Sequence, residues 1–279
     1  MSDVLTEATA FLKSKEISDP RLNAERMLAH VLQISRIELY LQFDRPLNQS
    51  EREQYKDFLR RRAAHEPLQY ILGETEFMSL PFRITPDVLI PRPETEVLVE
   101  LVLEDAKTEP VQTILDIGTG SGCIAVSLAA NLSDVQITAA DVSRKALEVA
   151  SQNARLNGVQ DRVQFTEGDI QSGLDLESRF DVVVSNPPYI ALNEWDKLDP
   201  EIREHEPRMA LCDESDGLKF YKMMADQSES FLERGGKIYL EVGDTQSEEV
   251  LKILNEAGFS NAQSYPDLNQ IHRVVRAVY

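Results

Sequence analysis

From Thr95 onward, stretches typical of β-strands alternate with stretches typical of α-helices. Apolar runs such as "TILDIG", "VQITAAD" and "KIYLEV" have the length of buried strands, and longer amphipathic runs such as "RKALEVASQNARLNG" separate them. Repeated strand–helix–strand units build a mostly parallel sheet that is covered on both faces. Residues 95–279 are therefore predicted to form an α/β domain around a Rossmann-like, seven-stranded, mostly parallel sheet, with ligands at the carboxyl ends of its strands.

The residues before this alternation have a different pattern. Apolar residues recur at helical spacing, and two helix starts are marked, by Asp19 before Pro20 and by Ser35 with Glu38 in a capping box. The proline-rich stretch "TPDVLIPRPETE" favours an ordered, non-helical connection. We therefore predict a small helical bundle over residues 1–73 and a connector with a short β-hairpin over residues 74–94.

The net charge of −19 is distributed unevenly along the chain. Residues 1–84 contain 12 basic and 13 acidic residues, so the other 17 basic and 35 acidic residues give residues 85–279 a net charge of −18. A strongly acidic domain repels the phosphate backbone, which argues against nucleic acid as a direct partner. The triplet Arg60-Arg61-Arg62 could form a small basic face or belong to an ordinary solvated helix face.

Cysteine and histidine usage argues against a metal site. Cys123 and Cys212 are far apart, and the four histidines have no paired spacing. No apolar run is long enough for a transmembrane helix, and the N-terminal stretch lacks the features of a signal peptide. We expect a cytoplasmic protein without metal or membrane partner, and a monomer, since no feature of the sequence indicates oligomerisation.

The first predicted strand ends in "DIGTGSGC", an acid followed by three alternate glycines. The glycines let the backbone turn tightly and approach a ligand, but Cys123 stands where a dinucleotide fingerprint needs its third glycine. Asp116 can instead bind, directly or through water, the ammonium group of an amino-acid moiety such as that of S-adenosylmethionine. A turn that serves only helix–strand packing is the alternative. The predicted cofactor-binding residues here are Asp116, Gly118, Thr119, Gly120, Ser121 and Gly122.

Two further strand ends carry acids. Asp141, 25 residues after Asp116, can accept both hydroxyls of a ribose, although it could equally cap the helix that begins at "DVSRKA". Asp169 can accept the exocyclic amine of an adenine while Ile170 packs on the ring, and a solvated loop acid is the alternative. Acids at three successive strand ends favour one shared site for a nucleoside-type cofactor.

The fourth strand ends in Asn186-Pro187-Pro188-Tyr189. Asn186 Oδ1 and the Pro187 carbonyl can both accept N–H bonds from one planar NH₂ group, and the prolines hold these acceptors rigid. Tyr189 offers an aromatic face to the plane of that group. The lone pair of such a nitrogen is delocalised, which makes the nitrogen a weak nucleophile. Two acceptors that bond its N–H groups raise the electron density on the nitrogen. The motif therefore predicts methylation of an amide or an aromatic amine without a strong general base.

These motifs resemble those of class I S-adenosylmethionine-dependent methyltransferases, and Asn-Pro-Pro-Tyr is similar to the group that acts on adenine N6, guanine N2 and glutamine N5. The chain as a whole resembles the release factor glutamine methyltransferases, or PrmC/HemK family. The resemblance is carried between residues 66 and 240 by "EPLQYILGETEF", "LIPRPETE", "DIGTGSGCIAVSLA", "NPPYI", "EPRMAL" and "DGL". Residues 1–65 resemble the family only in their pattern of helices and contain no matching sequence motif.

The resemblance implies transfer of a methyl group from S-adenosylmethionine to glutamine N5 in the Gly-Gly-Gln loop of class 1 peptide-chain release factors. Residues 95–279 would be the methyltransferase domain, and the helical bundle would bind the substrate protein or only stabilise the larger domain. The cofactor would contact residues 118–122, Asp141 and Ile170.

The resemblance also assigns the acceptor side of the site. Asn186 would contact both cofactor and glutamine, and Pro187, Pro188 and Tyr189 would bind the glutamine, with Asn186, Pro187 and Tyr189 as the catalytic residues. Arg92 would contribute to substrate binding with Glu94 beside it in the wall between the domains; alternatively, the two would only pin the connector in place.

Two other functions are compatible with parts of the sequence. A nucleic-acid amino-methyltransferase would bind a similar NH₂ group, but it needs a basic groove and a way to flip the base, and residues 85–279 carry a net charge of −18. A non-enzymatic binding protein of the same fold would bind S-adenosylmethionine weakly or not at all. The intact glycine loop and the Asn-Pro-Pro-Tyr motif argue against this alternative.

Overall fold

The computed structural model describes residues 1–42, 44–176 and 178–279. The chain divides into two compact units: Met1–Glu74 with Asp199–His205, and Thr75–Leu198 with Glu206–Tyr279. The sequence did not predict that the smaller unit includes a second, later segment. None of the helices in these described ranges is both long and apolar enough to cross a membrane.

The smaller unit is helical. Ser35 Oγ accepts a hydrogen bond from Glu38 N at 3.3 Å, and the Glu38 carboxylate accepts one from Ser35 N at 2.8 Å, which confirms the predicted capping box. A helix begins at Pro20 as predicted, but the side chain of Asp19 makes no capping hydrogen bond, because its backbone is left-handed with φ 46° rather than extended. The helices are α1 (Ser2–Ser14), α2 (Pro20–Leu32), α3 (Arg36–Leu41), α4 (Gln49–Ala63), α5 (Leu68–Leu72) and, from the later segment, α9 (Pro200–His205).

Two members of the arginine triplet in α4 are engaged in ion pairs, and one of them, Arg62, is buried. Arg62, whose side chain is 3% exposed, donates to Asn23 Oδ1 at 2.8 Å and to Glu201 Oε2 at 2.7 Å. Arg61 pairs with Glu66. The triplet is therefore not a basic face of the kind that binds nucleic acid. The apolar core beside it includes Leu5, Leu12, Met27, Leu28, Leu39 and Tyr55.

The connector contains a two-stranded hairpin made of β1 (Glu74–Phe77) and β2 (Leu80–Arg83). Its two turn residues have left-handed φ, which suits the twist of a tight hairpin. Both backbone groups of Arg83 bond to the Asn153 side chain, at 2.7 and 3.0 Å, and Asn153 Nδ2 also donates to Ser121 O at 2.9 Å. The end of the hairpin is thereby fixed to the glycine-rich loop of the main sheet.

The larger unit is an α/β domain in which helices follow most of the strands. Its helices are α6 (Pro93–Ala106), α7 (Cys123–Asn131), α8 (Arg144–Leu156), α10 (Lys219–Phe231) and α11 (Ser247–Glu256), with short 3-10 segments over Leu192–Lys197 and Arg208–Ala210. Its strands are β3 (Thr113–Ile117), β4 (Gln136–Asp141), β5 (Val163–Glu167), β6 (Phe180–Ser185), β7 (Leu232–Glu241), β8 (Ser260–Pro266) and β9 (His272–Val278).

The seven strands of this unit lie in the order β5-β4-β3-β6-β7-β9-β8. The first five are parallel, and β9 runs antiparallel to both β7 and β8. This arrangement confirms the predicted seven-stranded, mostly parallel sheet. The order reverses between β3 and β6, and an open parallel sheet binds ligands at such a switch point.

The boundary between α10 and β7 differs from the prediction. The sequence predicts a helix that continues to Gly235-Gly236, but α10 ends at Phe231 and the strand begins at Leu232. Leu232 pairs with Phe180 before an irregularity in the register, and Gly235 has φ 83° and donates to the Tyr279 carbonyl at 2.8 Å. The glycines therefore form an irregular part of the strand and do not end the helix.

Candidate active site

A cleft opens at the carboxyl ends of β3, β4, β5 and β6. It is bordered by several residues that the sequence predicts for the site: Gly118, Gly120, Asp141, Asp169, Ile170, Asn186, Pro187 and Pro188. The other predicted residues do not line it and lie around or beneath it: Arg92, Asp116, Thr119, Ser121, Gly122 and Tyr189.

The glycines of the loop after β3 serve two purposes. Gly118 and Gly120 have φ of 74° and 56°, and a Cβ atom on either would meet nothing within 4 Å. Their exposed backbone therefore leaves room for a ligand to approach, and Gly120 N is held by Asp141 Oδ2 at 2.8 Å. Gly122 lies away from the cleft, and a Cβ there would come within 3.0 Å of Ala150 Cβ in α8. That glycine allows α8 to pack closely against the start of α7.

Asp116 lies fully buried beneath this loop. Its Oδ2 atom accepts a hydrogen bond from the Thr119 hydroxyl at 2.7 Å, and its Oδ1 atom has no hydrogen-bond partner among the described residues. Burial raises the pKa of Asp116 to about 7, although the Thr119 bond acts in the opposite direction. The carboxyl group fixes the loop through Thr119, and its predicted contact with an ammonium group stays a prediction.

Asp141 ends β4 at the edge of the cleft. Its two carboxylate oxygens accept hydrogen bonds from Gly120 N and from Ser143 N, both at 2.8 Å. Burial raises the pKa of Asp141, and these backbone donors oppose the rise. Each oxygen has a second lone pair, so both remain able to accept a ribose hydroxyl. The cap of α8 is provided instead by Ser143, whose Oγ accepts from Ala146 N.

Asp169 and Ile170 follow β5 on the same side of the cleft. Asp169 Oδ1 accepts from Gln171 N at 2.8 Å, which turns the chain after the strand. Ile170 is buried and presents an apolar surface to the cleft. An acceptor next to an apolar wall suits an adenine ring, and contact of this pair with an adenine stays a prediction.

Asn186 follows β6 and is oriented by a side chain of α6. Its Nδ2 atom donates to Thr95 Oγ1 at 3.2 Å, and Thr95 is buried in the first turn of that helix. Because the NH₂ end of the carboxamide is directed at Thr95, the Oδ1 atom is left to accept in the cleft. The sequence analysis did not identify Thr95, which lies 91 residues away.

Glu241 is a second residue that the sequence analysis missed. Ser185 pairs with Leu240 in the parallel ladder, so the residues that follow them, Asn186 and Glu241, emerge side by side. Burial raises the pKa of Glu241 to about 7, and the neighbouring Thr95 side chain opposes this rise. The sequence carries a signal for Glu241, an acid near the end of the buried run "KIYLEV", like Asp116 and Asp141 near the ends of the first two strands.

Tyr189 is held by Gln246 from the start of α11. Gln246 Nε2 donates to the Tyr189 carbonyl at 2.9 Å and to the Gly217 carbonyl at 3.2 Å, while its Oε1 accepts from Gly243 N at 3.0 Å. A Cβ on Gly217 would lie 2.7 Å from the Tyr189 carbonyl oxygen, which explains the glycine of the "DGL" motif. Burial raises the pKa of Tyr189, so its phenol is neutral near pH 7.

Arg92 binds a partner that the sequence did not predict. Its guanidinium donates to Glu206 Oε1 at 2.5 Å, and the other oxygen of Glu206 accepts from Ile90 N at 3.3 Å. The Glu206 side chain is only 1% exposed. Arg92 therefore joins the connector to the "EPRMAL" segment, which favours the structural interpretation over substrate binding.

The residues of the cleft fit a nucleoside-type cofactor with an amino-acid moiety. Gly118 and Gly120 leave open space above the backbone, and Asp141 at the end of β4 has free lone pairs. Asp116, buried beneath the loop, has one carboxyl oxygen without a partner among the described residues. Within the described ranges, no group of three or more His, Cys, Asp or Glu side chains is arranged to hold a metal ion. That the protein works without metal stays a prediction.

Two protein families match separate parts of the chain. The PrmC N-terminal domain matches residues 3–73, and the methyltransferase small domain matches residues 93–198. Among solved structures, the hMettl16 catalytic domain in complex with MAT2A 3′UTR hairpin 1 has a TM-score of 0.59 at 18% identity, and the match covers 78% of this chain and 82% of that one. At this identity the likeness shows the fold alone.

Curated relatives match almost the whole chain. The release factor glutamine methyltransferase of Geobacter sulfurreducens is 43% identical over 272 residues, which cover 98% of this chain and 94% of the relative. That of Chlorobaculum tepidum is 41% identical over 281 residues, which cover 97% and 94%. With identity at this level across both units, the chain belongs to the family of release factor glutamine methyltransferases.

Proposed function

We propose that this chain transfers the methyl group of S-adenosylmethionine to the side-chain amide N5 of the glutamine in the Gly-Gly-Gln motif of class 1 peptide-chain release factors. The observation that carries the proposal is the near full-length match to relatives named for release factor glutamine methylation. The geometry supports it, because an amide acceptor, Asn186 Oδ1, is left available at the switch point of the sheet.

The cofactor side of the cleft would hold S-adenosylmethionine, which supplies an electrophilic methyl group on its sulfonium when bound. Gly118 and Gly120 let the backbone approach the amino-acid moiety, and Asp116 offers it a negative charge from beneath the loop. Asp141 accepts the ribose hydroxyls, and Ile170 packs on the adenine. The open faces of Gly118 and Gly120 and the free lone pairs of Asp141 support these assignments.

The acceptor side would hold the glutamine amide. Asn186 Oδ1 and the Pro187 carbonyl accept its two N–H groups, and the following proline keeps both acceptors from moving. This draws electron density toward the amide nitrogen and aims its lone pair at the methyl group. The methylated nitrogen loses a proton readily, so no strong base is needed. Among the described residues that line the cleft there is no histidine.

The smaller unit would bind the body of the release factor. It lacks the acidic excess of the larger unit, because Met1–Glu74 with Asp199–His205 holds 12 basic and 15 acidic residues, a net charge of −3, against −16 for the rest of the chain. Helix α3 exposes three apolar or aromatic side chains, Ile37 by 74%, Tyr40 by 57% and Leu41 by 76%. Exposed apolar clusters of this kind mark surfaces that bind other proteins.

Modification of a nucleic-acid base is not favoured. Structural likeness to an RNA-bound methyltransferase at 18% identity extends to the fold alone. The net charge of −18 on residues 85–279 opposes a phosphate backbone, and two arginines of the triplet in α4 are occupied in ion pairs.

The direct test uses methyl-labelled S-adenosylmethionine and a purified class 1 release factor, either unchanged or with the Gly-Gly-Gln glutamine replaced by alanine. Label on the unchanged factor alone is expected. Label on neither protein, but on RNA or DNA supplied in parallel, would overturn the proposal in favour of a nucleic-acid acceptor.

A further inference from the structure

Two asparagines, Asn153 in helix α8 and Asn157 directly after it, bond to the backbone of strand β2. Asn157 Nδ2 donates to the Pro81 carbonyl at 2.9 Å. Asn153 Oδ1 accepts from Arg83 N at 2.7 Å, and its Nδ2 atom donates to the Arg83 carbonyl at 3.0 Å. The bonding groups of alternate residues point to the same edge of a strand. Side chains at the C-terminal end of α8 therefore hold one edge of the connector hairpin.

Asn153 also reaches the glycine-rich loop of the cleft. Its Nδ2 atom makes a second bond, to the Ser121 carbonyl, at 2.9 Å. In the same loop, Gly120 N donates to Asp141 Oδ2 at 2.8 Å. The stretch from Gly120 to Ser121 is thus held at its first N–H by Asp141 and at its last carbonyl by Asn153. Gly120 lines the cleft, whereas Asn153 is fully buried behind it.

A carboxamide matches the backbone groups that surround the Asn153 side chain. These groups are one N–H, from Arg83, and two carbonyls, from Arg83 and Ser121. An oxygen that accepts and an NH₂ group with two protons can satisfy all three groups at once. An aspartate of the same shape would place an oxygen opposite both carbonyls, and two buried acceptors would lose their donor. The amide of Asn153 therefore holds the hairpin and the loop together through a single group.

We infer that Asn153 is a positioning residue for S-adenosylmethionine, because it fixes the glycine-rich loop in the arrangement that the cofactor binds. The same side chain fixes the end of β2, and the connector then continues to the cleft, which Asp87, Val88 and Leu89 line. Lys145 Nζ, near the start of α8, adds a bond to Asp87 Oδ1 at 2.9 Å. Two walls of the cleft are thereby aligned by one helix. The inference rests on the cofactor part of the proposed function and is independent of the methyl acceptor.

Replacement of Asn153 by aspartate tests this role. A loop that is in its binding arrangement for only part of the time binds its ligand more weakly in proportion to that fraction. In Asn153→Asp, we expect the dissociation constant for S-adenosylmethionine, measured by calorimetry, to rise about tenfold, which corresponds to a loop in that arrangement for about a tenth of the time. At saturating cofactor, kcat for the release factor should stay within about threefold of wild type, because Asn153 does not contact the acceptor side.

Asn157→Asp is the matched control, because it makes the same chemical change one helical turn further along. It removes the bond to the Pro81 carbonyl and leaves the bond between Asn153 and Ser121 in place. Cofactor affinity in this variant should stay within about twofold of wild type. If both variants weaken cofactor binding equally, Asn153 only supports the connector and the inference is overturned. A wild-type dissociation constant in folded Asn153→Asp would overturn it as well.

A second variant covers the case in which Asn153→Asp does not fold. Asn153→Ala leaves space for water, which can bond to the freed backbone groups without fixing the loop. Circular dichroism and urea denaturation show whether each variant is folded. The same tenfold rise in the dissociation constant is expected for Asn153→Ala, and an unchanged value would overturn the inference.

Failure of the proposed function has a different signature. If the wild type does not bind S-adenosylmethionine, hydrogen exchange of the Gly120 amide in the cofactor-free protein still decides whether Asn153 holds the loop. Exchange at least about tenfold faster in Asn153→Asp than in the wild type, with little change in Asn157→Asp, would support the role of Asn153. Equal exchange in all three proteins would overturn it.

Discussion

The two sides of the cleft are built in different ways. The cofactor side consists of Gly118, Gly120, Asp141, Asp169 and Ile170 at the ends of β3, β4 and β5, and its loop is held mostly by bonds to the backbone of neighbouring strands. The acceptor side consists of Asn186 and Tyr189 after β6, together with Thr95 and Gln246, which hold them through side chains.

The difference lies in how far along the chain each contact reaches. On the cofactor side, Gly120 N and Asp141 Oδ2 bond across 21 residues, within a single strand–helix–strand unit. On the acceptor side, Asn186 reaches 91 residues back to Thr95, and Gln246 reaches 57 residues to Tyr189. A cofactor site can therefore be set by one local motif, whereas the acceptor site depends on the assembled domain.

The largest expected effect comes from removing the acceptor itself. Asn186→Ala should lower kcat for release factor methylation by about 10²- to 10³-fold, because one preorganised polar partner of the reacting group is lost. Its affinity for S-adenosylmethionine, measured by calorimetry, should fall much less than kcat if the two sides of the cleft are separable. The exposed Asn193 provides a matched Asn193→Ala control that should behave as wild type. If cofactor affinity fell by as large a factor as kcat, the two sides of the cleft would not be separable.

The complementary change is Asp141→Ala on the cofactor side. We expect the dissociation constant for S-adenosylmethionine to rise about 10- to 100-fold, because charge-assisted hydrogen bonds to two hydroxyls disappear. At saturating cofactor, kcat should be close to wild type. Asp134→Ala, at an exposed position before β4, is the control. If Asp141→Ala instead lowered kcat with unchanged cofactor affinity, the assignment of Asp141 to the ribose would be wrong.

The same difference explains which parts the sequence could predict. The order of strands and helices follows from hydrophobic periodicity, so the sheet and the loops at its carboxyl edge were predicted. Asp116 and Asp141 were found because an acid within the last two residues of a buried strand is a local signal, and Glu241 has the same signal. No other motif residue of the sequence lies beside Glu241 to mark it as part of the site.

Other residues had no local signal. Thr95 and Gln246 are ordinary helix-terminal residues until folding brings them beside Asn186 and Tyr189. The sequence also misplaced the start of β7, because Gly235-Gly236 is typical of a helix end and only pairing with β6 shows it to be part of a strand. Long-range hydrogen bonds between side chains are thus the part of this site that a single sequence does not reveal.

Removing Gln246 tests whether Tyr189 depends on distant support. Gln246→Ala leaves the Tyr189 carbonyl, the Gly217 carbonyl and Gly243 N without their partner. The free energy of unfolding should fall by about 1–3 kcal/mol, measured by urea denaturation, and kcat should fall about tenfold with cofactor affinity unchanged. Gln160→Ala, on an exposed turn, is the control. Wild-type kcat in a destabilised Gln246→Ala would show that Tyr189 does not need this support.

The proposed docking surface on α3 predicts an effect on binding of the release factor alone. The double change Ile37→Lys and Leu41→Lys replaces two exposed apolar side chains, and KM for the release factor should rise about tenfold with kcat unchanged. Leu268→Lys is a matched control, since Leu268 is 99% exposed but lies in the larger unit. An unchanged KM in the double variant would exclude this face from docking.

The smallest expected effect is the pH dependence of stability without cofactor, in which each side of the site has one buried acid. Burial raises the pKa of both Asp116 and Glu241 to about 7, so between about pH 4.5 and 7 the folded protein binds protons that the unfolded chain has released. Stability from these groups is therefore fully present below the unfolded pKa and is lost as pH rises through 7, by at most about 1.4 kcal/mol per pH unit for each group. Asp116→Asn and Glu241→Gln should each flatten the fall in urea midpoint between pH 5 and 7. If only Glu241→Gln flattens the fall in urea midpoint, Asp116 on the cofactor side holds no proton in this pH range. The two sides of the cleft would then differ in charge as well as in how their residues are held.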